Sequence, residues 1–216
     1  MTARAPFIVF EGGDGAGKST QISLLADALT ARGIAVLTTR EPGGAPGAER
    51  LRELLVTGAV DDWSPVSEAL LMYAARAEHL AKTINPARAA GTIVLCDRFS
   101  DSTAAYQGAA GRVDPVFLAA LEAHVVGGDA PDLVMILDVA PETGLSRAQD
   151  RHSGEDRFEQ KGRDFQSRVR EAFVALANAD PQRKQLINAN RQIADVSADI
   201  LQRVIPLVQS WQNQSG

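Results

Sequence analysis

The chain has 216 residues, and its 22 basic and 27 acidic side chains leave a net charge of −5. That length fits one compact domain with a self-sufficient core, and the acidic balance argues against wrapping nucleic acid or lying on an anionic membrane. The single cysteine, Cys96, excludes an intrachain disulfide and suits a reducing cytoplasm, and with only three scattered histidines the familiar zinc frameworks are excluded too. No apolar run approaches the ~18 residues of a membrane span. The apolar run 7–10 stops at Glu11 and is too short for a signal peptide. Of the 22 basic residues 18 are arginine, the residue suited to bidentate contact with phosphate.

In chain order, the pattern alternates short apolar runs with longer amphipathic ones. Residues 7–10 read as a strand and 19–32 as a helix. Gly33 punctuates, and 34–39 form a second strand. Glu41-Pro-Gly-Gly44 is a loop, because proline and glycine cannot continue a ladder. Residues 48–56 look helical. Ser64 then caps another helix, with Pro65 at its first position. Strands follow at 92–96 and 132–139, a weaker one at 185–189, and a closing helix spans 193–211. Apolar strands without alternation, separated by helices, indicate a five-stranded parallel sheet covered on both faces, a three-layer α/β sandwich. Ligands on such sheets sit beyond the carboxyl ends of the strands, and every motif below falls at such an end.

The first motif is Gly12-Gly-Asp-Gly-Ala-Gly17-Lys18-Ser19, which follows a strand, opens a helix and fits the phosphate-binding P-loop pattern. Its backbone N–H groups and the helix N-terminus suit phosphate oxygens. Lys18 suits the β- and γ-phosphates and the Ser19 hydroxyl suits Mg²⁺. Asp14 would repel phosphate if it pointed inward, so it is expected to face a group that donates a hydrogen bond to it, such as a sugar hydroxyl. None of the variable loop positions, Gly13 to Ala16, is basic. Any arginine that offsets transition-state charge must therefore come from elsewhere.

The second motif is Asp97-Arg98, at the end of the third strand: an acid placed to orient Mg²⁺ and a base extending over the site. Ser102, Thr103, Tyr106 and Gln107 beyond it suit the lining of a polar pocket. Met72 and Arg76, one helical turn apart, share a face on which Arg76 could reach a phosphate while Met72 packs on a base. Arg147, Arg151, Arg157 and Arg163 cluster after the fourth strand, around the polar stretch 152–156. A basic lid over residues 147–160 would exclude water and deliver positive charge on closure.

Together these motifs resemble the bacterial thymidylate kinase family of the P-loop nucleoside monophosphate kinases, in colinear order over about residues 5–190. The resemblance is carried by Phe10 to Thr20, Thr39-Arg-Glu-Pro-Gly-Gly44, Tyr73-Ala-Ala-Arg76, Asp97-Arg98, Ser102-Thr103 with Ala105-Tyr106-Gln107, Pro131-Asp132-Leu133 and Asp156-Arg157-Phe158-Glu159. It implies transfer of a phosphoryl group from ATP to dTMP with Mg²⁺, in a single kinase domain spanning 1–216 that works as a cytoplasmic homodimer. ATP would be held by Gly12, Gly13, Asp14, Gly15, Ala16, Gly17, Lys18, Ser19 and Thr20, and the metal by Ser19 and Asp97. On the acceptor side, Asp14 would hold the sugar 3′-hydroxyl, Arg76 and Arg98 the phosphate, and Thr103 the thymine edge. Tyr106 would sit under the deoxyribose, with Pro42 and Leu51 walling the base pocket. Met72, Tyr73, Ser102 and Gln107 complete that side. The expected catalytic set is Lys18, Arg98, Asp14 and a lid arginine, Arg151 before Arg147.

The chain departs from the family pattern in three places. Met72 stands where phenylalanine commonly stacks on thymine, so either Tyr73 takes over or base affinity is weaker. The stretch 152–156 is about one residue longer. Asn188-Ala-Asn190-Arg191 replaces the commoner tract near the adenine. Two other readings compete with it. A related P-loop kinase would act on another acceptor. A nucleotide-dependent switch, if it used GTP, would need the base-reading Asn-Lys-x-Asp, which is missing.

Overall fold

The computed structural model describes residues 4–140, 142–144, 146 and 161–215. Five strands, β1 (Phe7–Glu11), β2 (Val36–Arg40), β3 (Ile93–Asp97), β4 (Leu133–Asp138) and β5 (Lys184–Asn188), form one sheet in the order β2-β3-β1-β4-β5. All neighbours pair in parallel. Successive side chains of a strand point to opposite faces, and both faces are buried. Phe7, Val9, Val94, Cys96, Val134 and Ile136 face one core; Ile8, Phe10, Leu95, Met135 and Leu137 face the other. That two-sided burial is why these strands read as unbroken apolar runs.

Helix α1 (Lys18–Thr30) covers one face through Ile22, Leu25 and Leu29, alongside the last helix, which contributes Val196, Ile200, Val204 and Val208. The other face is covered by α3 (Pro65–His79), α6 (Pro115–Val125) and the long helix Arg163–Ala179. Further helices among the described residues include α2 (Pro46–Val56), α4 (Asn85–Ala89) and α5 (Ser100–Thr103). Helix α3 runs into α4 through a π-helical turn, Leu80–Ile84, and α5 continues as a π-helical segment, Ala104–Ala110. In chain order the last two helices are α7 (Arg163–Ala179) and α8 (Ile193–Ser215). The Ser64 hydroxyl accepts from Ser67 N (3.2 Å) with Pro65 next to it, the cap expected from the sequence. The expected elements agree with the observed ones to within a few residues at their ends.

The lid arginines Arg147, Arg151 and Arg157, with the whole stretch 147–160, lie outside the described residues. Arg163 opens α7 and is exposed.

At the amino ends of the strands, away from the phosphate loop, charge holds the chain together. Buried Arg88 donates to Ala5 O (2.9 Å) and to Asp132 Oδ2 (2.9 Å), which also accepts from Phe7 N (2.7 Å). This pins β1 and β4 at one point. Arg88→Met should cost about 2 kcal/mol, since it strands a buried carbonyl and half of an ion pair, which corresponds to a fall of about 4–8 °C in Tm for a chain this size. Thermal unfolding beside a steady-state assay checks this: turnover of the correctly folded variant should be unchanged.

Candidate functional site

The loop from β1 to α1 turns through left-handed glycines. Gly12 (φ 128°) and Gly15 (φ 72°) have no room for a side chain, because a Cβ would strike the carbonyls of Leu137 and Gly144. The loop closes on Gly17, and Lys18 starts α1. Lys18 is buried, and its Nζ donates to the carbonyls of Gly12 (3.2 Å) and Gly13 (3.0 Å). Burial, helped by the nearby Arg98 charge, pulls its pKa down to about 8. An anion in the loop would relieve both terms. Ser19 Oγ donates to Asp97 Oδ2 (3.0 Å), so the hydroxyl and carboxylate expected to serve a metal are already adjacent. Ala16 packs into the core and Thr20 stands exposed on α1.

Beyond the loop lies a cleft of about 300 Å³. Its lining combines Gly15, Gly17, Lys18, Ser19 and Asp97 with Asp14, Arg98, Ser102, Thr103, Tyr106 and Gln107, and with Pro42, Met72 and Arg76. The structure thus brings together most of the residues singled out in the sequence, from segments up to about ninety positions apart.

Arg98 holds a left-handed backbone (φ 69°), rare for a residue with a side chain. Its Nη1 donates to Gly12 O (3.0 Å) and Ser102 Oγ (3.1 Å), and its Nη2 bonds Asp14 Oδ1. Asp14 Oδ2 accepts from the Tyr106 hydroxyl (3.2 Å). Burial raises the Asp14 pKa, but the Arg98 and Lys18 charges outweigh it and hold the carboxyl below its usual value. Burial likewise opposes the charge on Arg98, yet Tyr106, Asp14 and Asp97 keep its pKa above normal. Asp14 is thereby held between Arg98 and Tyr106.

Arg76 is 1% exposed. Its Nε donates to Glu41 Oε2 (2.9 Å) and its Nη2 to Thr103 Oγ1 (3.1 Å), while Nη1 is buried with no hydrogen-bond partner among the described residues. Such a nitrogen is costly unless something fills the gap, and an anionic oxygen in the cleft would do so. Glu41 also bonds His79 Nδ1 (3.1 Å), and His79 Nε2 meets Thr39 Oγ1 (2.8 Å). The loop at 41–44 is thereby fastened to α3.

Two expected contacts lie elsewhere. Tyr73 is one residue, about 100°, around α3 from Met72. Its ring lies 4.6 Å from the Arg76 guanidinium and its hydroxyl donates to Glu122 (3.0 Å), so it does not line the cleft and does not replace the missing aromatic. Leu51 packs on Ala45, Ala48 and Ala75; α2 presents Arg52 and Val56 to the cleft instead. Sequence reasoning also missed Glu41 and His79, whose importance comes from burial that spacing does not reveal. It missed Arg40 and Phe99 in the lining as well.

Comparison with known proteins agrees with this geometry. The sequence model of the thymidylate kinase family matches residues 10–200. A thymidylate kinase from Caulobacter vibrioides is 54% identical over 199 residues, covering 92% of this chain and 95% of that one. One from Magnetococcus marinus is 50% identical over 198 residues, with 92% and 94% covered. The crystal structure of thymidylate kinase from Ehrlichia chaffeensis superposes with a TM-score of 0.75 at 32% identity, covering 93% of this chain and 99% of that one. The chain belongs to the thymidylate kinase family.

Proposed function

We propose that this chain transfers the γ-phosphoryl group of ATP to dTMP, giving dTDP and ADP, as a single kinase domain with Mg²⁺. The observation that carries this reading is the cleft itself, whose lining combines the phosphate loop and Lys18 with buried Arg76 and half-buried Arg98. Anion-binding groups from the loop and from these arginines around one cavity suit two phosphates brought end to end.

Ser19 and Asp97 offer a hydroxyl and a carboxylate oxygen side by side, a fit for a hard cation that takes its other ligands from phosphate and water. When bound, the metal would offset charge on the transferring group. The acceptor oxygen is already anionic, so no strong base is required, and catalysis reduces to positioning and charge neutralisation. Lys18 holds the donor phosphates. Arg98 and Arg76 hold the acceptor phosphate in line and reduce its repulsion with the donor. Asp14 takes the sugar hydroxyl, Tyr106 packs beneath the sugar, and Thr103 with Gln107 meets the base. Met72 provides polarizable packing where a ring would stack. Arg151, with Arg147 second, supplies the lid charge that the loop lacks. The working form is a homodimer in the cytoplasm. Leu54, Val66 and Leu70, exposed on α2 and α3, offer apolar surface for such pairing. Among the described residues no helix is long and apolar enough to cross a membrane.

The test is ADP release from Mg-ATP with dTMP, dUMP, dGMP, AMP, CMP and no acceptor. Fast release with dTMP alone is expected. Fast release with another monophosphate would discard the thymine pocket, and release without acceptor would make the protein a hydrolase. In the same assay Arg151→Ala should lower kcat by about 100-fold or more, while the KM for dTMP moves less than about threefold. A change in binding alone would remove Arg151 from its assigned role.

A further inference from the structure

Glu11, the last residue of β1, is fully buried and stands outside the cleft. It lines a separate cavity of about 50 Å³ on the far side of the loop that carries Arg98. Phosphoryl transfer as described above gives it no task. Yet its carboxylate accepts three hydrogen bonds, all from the turn and short helix α5 that follow Arg98: Oε1 from Phe99 N (2.8 Å) and Ser102 N (3.0 Å), and Oε2 from Ser102 Oγ (2.6 Å). A buried carboxylate is costly to keep, so its three donors indicate what it is kept for.

The left-handed backbone of Arg98 persists only where its surroundings over-determine it. Three bonds do so. Arg98 N donates to Phe10 O (2.9 Å), Cys96 Sγ donates to Arg98 O (3.1 Å), and the next amide, Phe99 N, donates to Glu11. Only the last has a carboxylate acceptor, the stronger kind. A second path runs through Ser102. Its hydroxyl has one proton. Because that proton goes to Glu11, the oxygen presents a lone pair to Arg98 Nη1 at 3.1 Å. Glu11 therefore fixes both the backbone of Arg98 and the polarity of one of its side-chain partners.

We propose that Glu11 is a positioning residue for the acceptor phosphate, acting from beneath the cleft by locking the Arg98–Ser102 loop with Arg98 aimed at the anion. This rests on the acceptor reading of the cleft given above.

Glu11→Gln keeps the size of the side chain and an oxygen for the two amides, but it turns a donor toward Ser102 Oγ, which must then accept from both sides. The variant should lose about tenfold or more in kcat/KM for dTMP, mainly through KM, while the KM for ATP stays within about twofold. Ser102→Ala leaves the carboxylate in place and should show the same one-sided loss. Adding Glu11→Gln to it should cost less than Glu11→Gln alone costs in the wild type. A readout independent of any acceptor is the reaction of Cys96, buried and bonded to Arg98 O, with a thiol reagent under native conditions. Glu11→Gln should speed it by more than the variant's fall in global stability explains, and Glu11→Asp should restore part of the slow rate. Unchanged dTMP kinetics in a wild type that uses dTMP would overturn the proposal. So would equal losses for dTMP and ATP, or Cys96 reactivity that only follows global stability. A wild type that ignores dTMP would defeat the acceptor reading instead, and the Cys96 rate would still decide the role of Glu11.

Discussion

A guanidinium 1% exposed cannot stand in a protein interior without anions beside it. That requirement shapes the acceptor side of the cleft. Arg76 takes Glu41, Arg98 takes Asp14, and each carboxylate is tied in turn to a second group, His79 or Tyr106. The arginines are therefore charged and oriented before any ligand arrives. Preorganised charge of this kind costs little reorganisation at the moment of reaction, which is where electrostatic catalysis gains most. Among the described residues the Nη1 of Arg76 has no hydrogen-bond partner, and a buried cationic donor left open in this way suits an anion.

The sheet makes the network possible. In a parallel sheet all carboxyl ends fall on one edge, and strand order decides which loops are neighbours there. With β1 between β3 and β4, the phosphate loop after β1 lies next to Asp97 and Arg98 after β3. β2, beside β3, delivers Glu41 and Pro42 to the same edge. The opposite edge carries the Arg88–Asp132 clasp, whose two residues are not among those that line the cleft, so this clasp and the candidate site are separated along the strands.

Much of this was legible in the sequence because it rests on local rules. Glycines that tolerate left-handed turns, apolar runs of strand length, and a Ser-Pro helix start all act within a few residues. Asp97 beside Ser19 and Met72 above Arg76 followed from strand-end placement and helical spacing. The failures share a cause as well. Leu51 against Arg52, and Tyr73 against Met72, are one-residue errors in which side of a helix meets the cleft. Tertiary packing sets that rotation, and hydrophobicity misleads about it: the apolar Leu51 found an alanine cluster, while Arg52 and Val56 took the wall. Glu11, Glu41 and His79 were invisible for a different reason. Each gains its role from burial beside partners on other elements, and a charged residue at a strand end reads as solvated until its surroundings are known.

Glu11 and Asp14, three residues apart, show how far surroundings can divide one chemistry. Burial dominates at Glu11, and the nearby Asp101 adds to it, so its pKa is pushed up to about 7 despite Arg98 and three hydrogen bonds. At Asp14 the Arg98 and Lys18 charges overcome burial and the pKa falls. Their contributions to folding have opposite signs. A lowered acid stabilises the fold above its usual pKa and loses that contribution as the pH falls. A raised acid is neutral in its effect below its usual 4.5, and its ionisation becomes a growing cost as the pH climbs toward 7. Asp14 thus helps hold the protein together while lining the cleft. Glu11 weakens the fold when charged, and among the described residues its carboxylate hydrogen-bonds Phe99 and Ser102, just past Arg98. A side chain kept at such a cost, with every bond directed to one loop, is accounted for by what that loop must do.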